Sequence, residues 1–77
     1  MSPPQPPKNR AITKALKKAG FVLDHTRGDH QYWKDPSTGQ HVLVVDKPGD
    51  EPPKDTWANM RKVLRRMGRW SDVRRHL

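Results

Sequence analysis

A glycine, an aspartate and a histidine in succession, Gly28-Asp29-His30, put an imidazole directly after a tight turn, where the backbone is fixed and the side chain can reach outward. Imidazole is the side chain best matched to proton transfer near neutral pH. A lone surface histidine usually has no role, so the elements around this one decide its weight. His25, His41 and His76 complete the set of histidines. Their spacing does not read as a metal site: cysteine is absent, no close histidine pair falls on a helix, and the nearby carboxylates sit on turns where aspartate is ordinary. No metal ligand and no cofactor is expected. The lack of cysteine also removes disulfides and thiolate catalysis, and it suits a reducing compartment. Gly-rich phosphate loops, nucleophile elbows and kinase-like motifs are absent as well.

The segments that must position these residues change period along the chain. Residues 1–8 are Pro-rich without apolar periodicity and are expected to form a disordered lead-in. From Asn9, a good N-cap by type, NRAITKALKKAG places Ile12, Ala15, Leu16 and Ala19 at helical spacing, with Gly20 as the stop. FVLDHT then reads as a strand and Arg27-Gly28 as a turn. DHQYWK is a second strand, ended by the breaker run Asp35-Pro36-Ser37-Thr38-Gly39, and QHVLVV is a third, ending at Asp46. DKPGDEPPK is an acidic, Pro-rich loop. Asp55 or Thr56 caps a second helix in DTWANMRKVLRRMG, where Trp57, Met60, Leu64 and Met67 share a stripe and Arg61, Lys62, Arg65 and Arg66 fall away from it. Gly68 closes that helix. The basic tail, residues 69–77, has room for one more helical turn, with Ser71 as its cap.

Three strands joined by short turns make an antiparallel meander, and two amphipathic helices need the same sheet face. The fold class is therefore α+β, a two-layer α-β-β-β-α sandwich occupying residues 9–68 as a single domain, with the other sheet face open. Two registers are available to the first hairpin. An odd turn sets Leu23 against Trp33, buries both, and sends His30 and Tyr32 to the open face beside Lys34. An even turn sets His25 opposite His30. The odd register buries more apolar area and is preferred. Tyr32 and Trp33 could instead stack bases, but sheets that do so need different connectivity and more exposed aromatics, which favours a core role for Trp33.

A chain of 77 residues with 31% hydrophobic content supports one thin domain and no deep cavity. Its net charge of +8 is unevenly placed. Lys8, Arg10, Lys14, Lys17 and Lys18 form one basic end and the Arg-rich stretch after Lys54 the other, around an acidic middle. Clustering of this kind suits a polyanion partner through phosphate neutralisation, and equally a soluble domain with solvated charged faces. With no apolar run near the ~20 residues of a membrane span and no leader pattern at the start, the reading is a cytoplasmic protein.

From about Ile12 to Gly68 the chain resembles the HicA family of toxin–antitoxin systems. The resemblance is carried by KKAGFVL, by RGDHQYWKDPSTGQHVLVV and by PPKDTWANMRKVLRRMG. The family's typical core of Gly, Ser or Thr, then His, then an aromatic three residues on, is here Gly28, Asp29, His30 and Trp33. Asp29 departs from it, setting a carboxylate beside the candidate that would attract an imidazolium and repel an incoming phosphate. The resemblance implies a fold related to double-stranded RNA-binding domains and a metal-independent endoribonuclease acting on mRNA. It implies His30 as general base to the ribose 2′-hydroxyl or general acid to the leaving oxygen, with Arg27, Gly28, Lys34 and Lys54 contacting the RNA. One histidine fills only one of those roles at a time, and His25 qualifies for the other under the even register. A HicB-like antitoxin is the implied protein partner, and an acidic surface on it would suit this cationic chain. The alternative is a non-catalytic RNA- or DNA-binding module of the same fold.

Overall fold

An apolar stripe on a basic helix is what starts the core. In the computed structural model, which describes residues 6–45 and 51–77, α1 spans Asn9–Lys18 and buries Ile12, Ala15 and Leu16 while its lysines face solvent. Most of the Pro-rich lead and of the acidic loop lies outside the described residues. The helix ends as expected, with the Gly20 N–H donating to Lys17 O and the Phe21 N–H to Leu16 O, a Schellman pair that satisfies two terminal carbonyls. Its start differs from expectation. Lys8 occupies the N-cap without a side-chain bond, and Asn9 is already helical. The Asn9 side chain is buried and donates from Nδ2 to Val45 O at 3.0 Å, so its amide ties α1 to a strand instead of capping the helix.

Three strands follow in simple order: β1 Val22–Arg27, β2 His30–Lys34 and β3 His41–Val45, antiparallel throughout with β2 in the centre. Trp33 pairs with Val42, and Gln31 with Val44; Trp33, Val42 and Val44 are all buried under the helices. Alternation then sends His30, Tyr32 and Lys34 to the opposite face, as the sequence indicates. Both helices pack against β3, and β1 is left at the outer edge with every residue exposed. Leu23 accordingly pairs with Trp33 as expected yet is 47% exposed, not buried, because the helical layer does not reach it. The uncovered strip opens a cleft of about 650 Å³ between α1 and β1, with Arg10 and Lys17 at its rim and Phe21, Leu23 and Trp33 on its floor.

The second helix, α2, spans Lys54–Arg66. Its N-cap is Pro53, not Asp55 or Thr56; Asp55 sits in the first turn, where its charge favours the helix N-terminus. Met60 and Leu64 are buried and Trp57 and Met67 pack against them. Gly68, at φ +72°, ends the helix by letting its own N–H reach Arg65 O and the Arg69 N–H reach Leu64 O. A third helix, α3, spans Trp70–Arg74; Arg69, not Ser71, is its N-cap residue, and Val73 enters the core cluster.

Arg69 is the joint among these parts. Its guanidinium donates to Ala19 O at the end of α1, lies 5.6 Å over the Phe21 ring, and faces Asp72 at 3.5 Å and the buried Asp35 at 3.7 Å. Arg69 Nε and Asp35 Oδ2, each without a hydrogen bond, face one another across that last distance. The other Asp35 oxygen accepts from the Ser37 hydroxyl at 2.7 Å and the Ser37 N–H at 3.0 Å. The Ser37 hydroxyl, its backbone N–H and the Arg69 charge hold the Asp35 carboxyl below the ordinary value of 3.8, against the opposing effect of burial.

Two outcomes follow for stability. Trp33→Ala removes a ring that is 2% exposed and should cost ~3–5 kcal/mol, enough to unfold a domain this small, whereas His30→Ala should melt close to the parent in thermal denaturation. Because Asp35 titrates lower when folded, its contribution is present above the unfolded value near 3.8 and fades as pH falls below it. Melting temperature should drop below about pH 4 in the parent and drop less steeply in Asp35→Asn; equal slopes would contradict this assignment.

Candidate active site on the open sheet face

The hairpin carrying His30 turns on two residues, Gly28 and Asp29, so that Arg27 pairs directly with His30. Gly28 adopts φ +60°, a conformation that glycine enters freely, and a Cβ there would meet nothing within 4 Å. Thr26 pairs with Gln31 and His25 with Tyr32, after which the register shifts and Leu23 pairs with Trp33. Neither expected register therefore spans the hairpin. An even, two-residue turn holds at the tip, the Leu23–Trp33 pair of the odd register holds further in, and Asp24 is the extra residue of a β-bulge between them. His25 lies opposite Tyr32, not His30.

The bulge has a chemical result. Successive residues of a regular strand point to opposite faces, but Asp24 and His25 both reach the open one. The His25 Nδ1–H donates to Asp24 Oδ2 at 2.8 Å, and His41, across the sheet on β3, donates from Nε2 to the same oxygen at 3.0 Å. The His25 ring stacks on Tyr32 with centroids 4.4 Å apart and planes 12° from parallel. These two hydrogen bonds, His25's first and then His41's, hold the Asp24 carboxyl below the ordinary 3.8. All three side chains are exposed, so the ion pairs themselves add little stability.

His30 stands in a similar relation to its own neighbour. Its Nδ1 lies 2.9 Å from Asp29 Oδ1, and its side chain is 44% exposed. On its sheet face it is flanked by Arg27 on β1 and by the buried Val45 on β3. A carboxylate at Nδ1 favours the tautomer with hydrogen on that nitrogen and directs Nε2 outward. Of the cations expected around it, Arg27 is its cross-strand partner. Lys34 shares the face but is four residues along β2, roughly 13 Å away at strand rise. Lys54 opens α2, in the helical layer and not on the strand face that carries His30. The cleft beside α1 lies on the helix-facing side, away from His30. Asp24 and His41 were not visible as site residues in the sequence, because only the bulge and the β2–β3 pairing bring them together.

A family model described as the HicA toxin of bacterial toxin–antitoxin matches residues 10–68. The chain belongs to the HicA toxin family. No curated protein and no solved structure matched. The matched stretch takes in the Gly28-Asp29-His30 turn, the sheet and α2, and stops at Gly68; Arg69 and α3 of this HicA-family chain lie just beyond it. Among the described residues no helix is long and apolar enough to cross a membrane.

Since Asp24 is the bulge residue, deleting it should leave Leu23–Trp33 and His25–Tyr32 as consecutive pairs of a regular ladder. The deletion variant is expected to fold with both pairs intact, read as cross-strand amide and ring contacts in NMR spectra, while His41 loses its acceptor. A variant that fails to pair at Leu23 would show that the bulge is needed for the fold and not only for the site.

Proposed function

We propose that this chain is an endoribonuclease, the mRNA-cleaving toxin of a toxin–antitoxin pair, and that His30 carries a proton in the reaction. The observation that supports this most is an exposed imidazole at a fixed hairpin, its Nδ1 held by a carboxylate and its Nε2 directed outward beside Arg27. The chemistry needs no metal. The ribose 2′-oxygen attacks the adjacent phosphorus as a base takes its proton, the bond from phosphorus to the 5′-oxygen breaks, and an acid protonates that oxygen, leaving a 2′,3′-cyclic phosphate and a 5′-hydroxyl. Arg27 stabilises charge on the non-bridging oxygens, the Gly28 backbone leaves room for the strand to approach, and Lys34 holds a more distant phosphate along the same face. The open face suits a macromolecular substrate better than a small one, since it offers a surface in place of an enclosed pocket. A HicB-like antitoxin with an acidic face would cover this surface, drawn by the net charge of +8. Both act in the cytoplasm.

The Asp29 carboxylate against His30 favours one competing reading, a module that binds RNA without cutting it, because a negative charge at the mouth of the site opposes an incoming phosphate. The two separate on one variant. Expression of the parent should arrest growth and fragment RNA, and His30→Ala should abolish both while still binding RNA in a salt-dependent manner. RNA binding by the parent without any cleavage would leave only the binding module.

A further inference from the structure

The sequence contains the dipeptide Asp-His twice, and the fold sets both copies on one sheet face. Asp24-His25 lies on β1 and Asp29-His30 at the start of β2, in the two arms of a single hairpin. Each imidazole places Nδ1 against the carboxylate of the residue before it, at 2.8 Å and 2.9 Å. In each, Nε2 is the nitrogen left to face a ligand. Since His25 pairs with Tyr32 and Arg27 with His30, the two histidines are diagonal neighbours, about 7–8 Å apart at Cα. Arg27 shares their face, directly opposite His30 and two residues from His25.

We infer that His25 is the second proton-transfer group of the site, so that Asp24-His25 and Asp29-His30 act as an acid–base pair across one phosphodiester. The inference rests on the ribonuclease reading given above. In-line displacement puts the attacking 2′-oxygen and the departing 5′-oxygen on opposite sides of phosphorus, and one imidazole cannot lie within the 2.6–3.2 Å of proton transfer from both at once. Two imidazoles on a diagonal, with a guanidinium beside them for the non-bridging oxygens, can. One enters neutral and takes the 2′-hydroxyl proton at Nε2; the other enters protonated and gives its Nε2 proton to the 5′-oxygen, so the pair ends with its protons exchanged and no net gain or loss.

The remaining residues of the cluster act through His25. Asp24 fixes its tautomer, Tyr32 fixes its plane by stacking at 4.4 Å, and His41 holds the Asp24 carboxylate from the far strand at 3.0 Å. These are positioning residues. The bulge supports the same conclusion: a regular β1 would keep the same pairs on either side of it, so what the additional residue contributes is a carboxylate on the face of the two histidines. Asp24, His25 and His41 could also converge on a metal ion, their ligand atoms all lying within 4.8 Å of one another, and the test separates the two uses.

A short mixed-sequence RNA serves to locate a cut, and the same RNA is then made with sulfur in place of the bridging 5′-oxygen at that linkage. Sulfur leaves without protonation, so it rescues a variant lacking the general acid and not one lacking the base. In single-turnover cleavage His25→Ala and His30→Ala should each lose about 100-fold or more with RNA binding kept, and the sulfur substrate should restore one of the two. The parent should show a bell-shaped pH–rate profile and each variant a single limb. Asp24→Asn should cleave more slowly with the bell retained, and chelation by EDTA should change nothing. If His25→Ala, folded by circular dichroism, cleaves like the parent while His30→Ala is dead, His25 is not the partner and the ribonuclease reading stands. Loss of cleavage in EDTA that returns with zinc assigns the cluster to a metal ion and overturns the acid–base pair. No cleavage by the parent ends both.

Discussion

Burial of Trp33 fixes the direction of every other side chain on β2. The indole is held between Val42 on one side and the Leu23 pairing on the other, under α1 and α2, and its Nε1–H finds Gln31 Oε1 at 3.1 Å so that the ring's polar atom is not stranded. Strand alternation leaves no freedom after that: His30, Tyr32 and Lys34 must face outward. Because β2 is the central strand, both neighbours inherit the same assignment, and Arg27, His25 and His41 join the outward set. The chemistry of this protein is thus oriented by a hydrophobic residue that takes no part in it.

Such a thin fold has few ways to hold its helices on the sheet, and the polar joint around Arg69 is one of them. A guanidinium that meets a helix C-terminal carbonyl, an aromatic face and two carboxylates locks the end of α1, the β2–β3 turn and the start of α3 at one point. Arginine suits this because its planar fork presents several donors at once and stacks on a ring, which an ammonium cannot do. The burial of Asp35 makes the joint conditional. A buried carboxylate is tolerated only while its partners remain, so the turn, the arginine and α3 stand or fall together.

Much of this was legible in the sequence, and the failures have common causes. Element order, the buried stripes of α1 and α2 and the outward face of His30 follow from periodicity, which reports on local geometry. Asn9, Asp35, Arg69 and the start of α2 did not follow. Asn9 has the type of a cap but is recruited by a strand 36 residues away, and Asp35 has the type of a turn former but is sealed by an arginine from beyond the second helix. Leu23 was expected to be buried because its pairing partner is, yet pairing and covering are separate matters: the sheet sets the first and the placement of the helices the second. The bulge was the deepest miss. Odd and even registers exclude one another in a regular hairpin, and one inserted residue lets each hold over part of the same one.

That inserted residue also explains how a site can be elaborated on a fold with no stability to spare. A substitution in the core of a domain this small risks a large share of its total stability, whereas one additional residue in an exposed edge strand leaves the pairs on both sides in register. The strand most open to such change is β1, exposed along its whole length and uncovered by either helix. Its position at the edge leaves Val22 and Leu23 in solvent at 50% and 47% exposure, a cost in apolar burial that the remainder of the sheet avoids. The same exposure keeps the outward face accessible to a ligand as large as a nucleic acid strand. The buried residues of β2 and β3 face the helices while His30, Tyr32 and His41 on the same strands face outward, so each strand serves the core on one side and the site on the other.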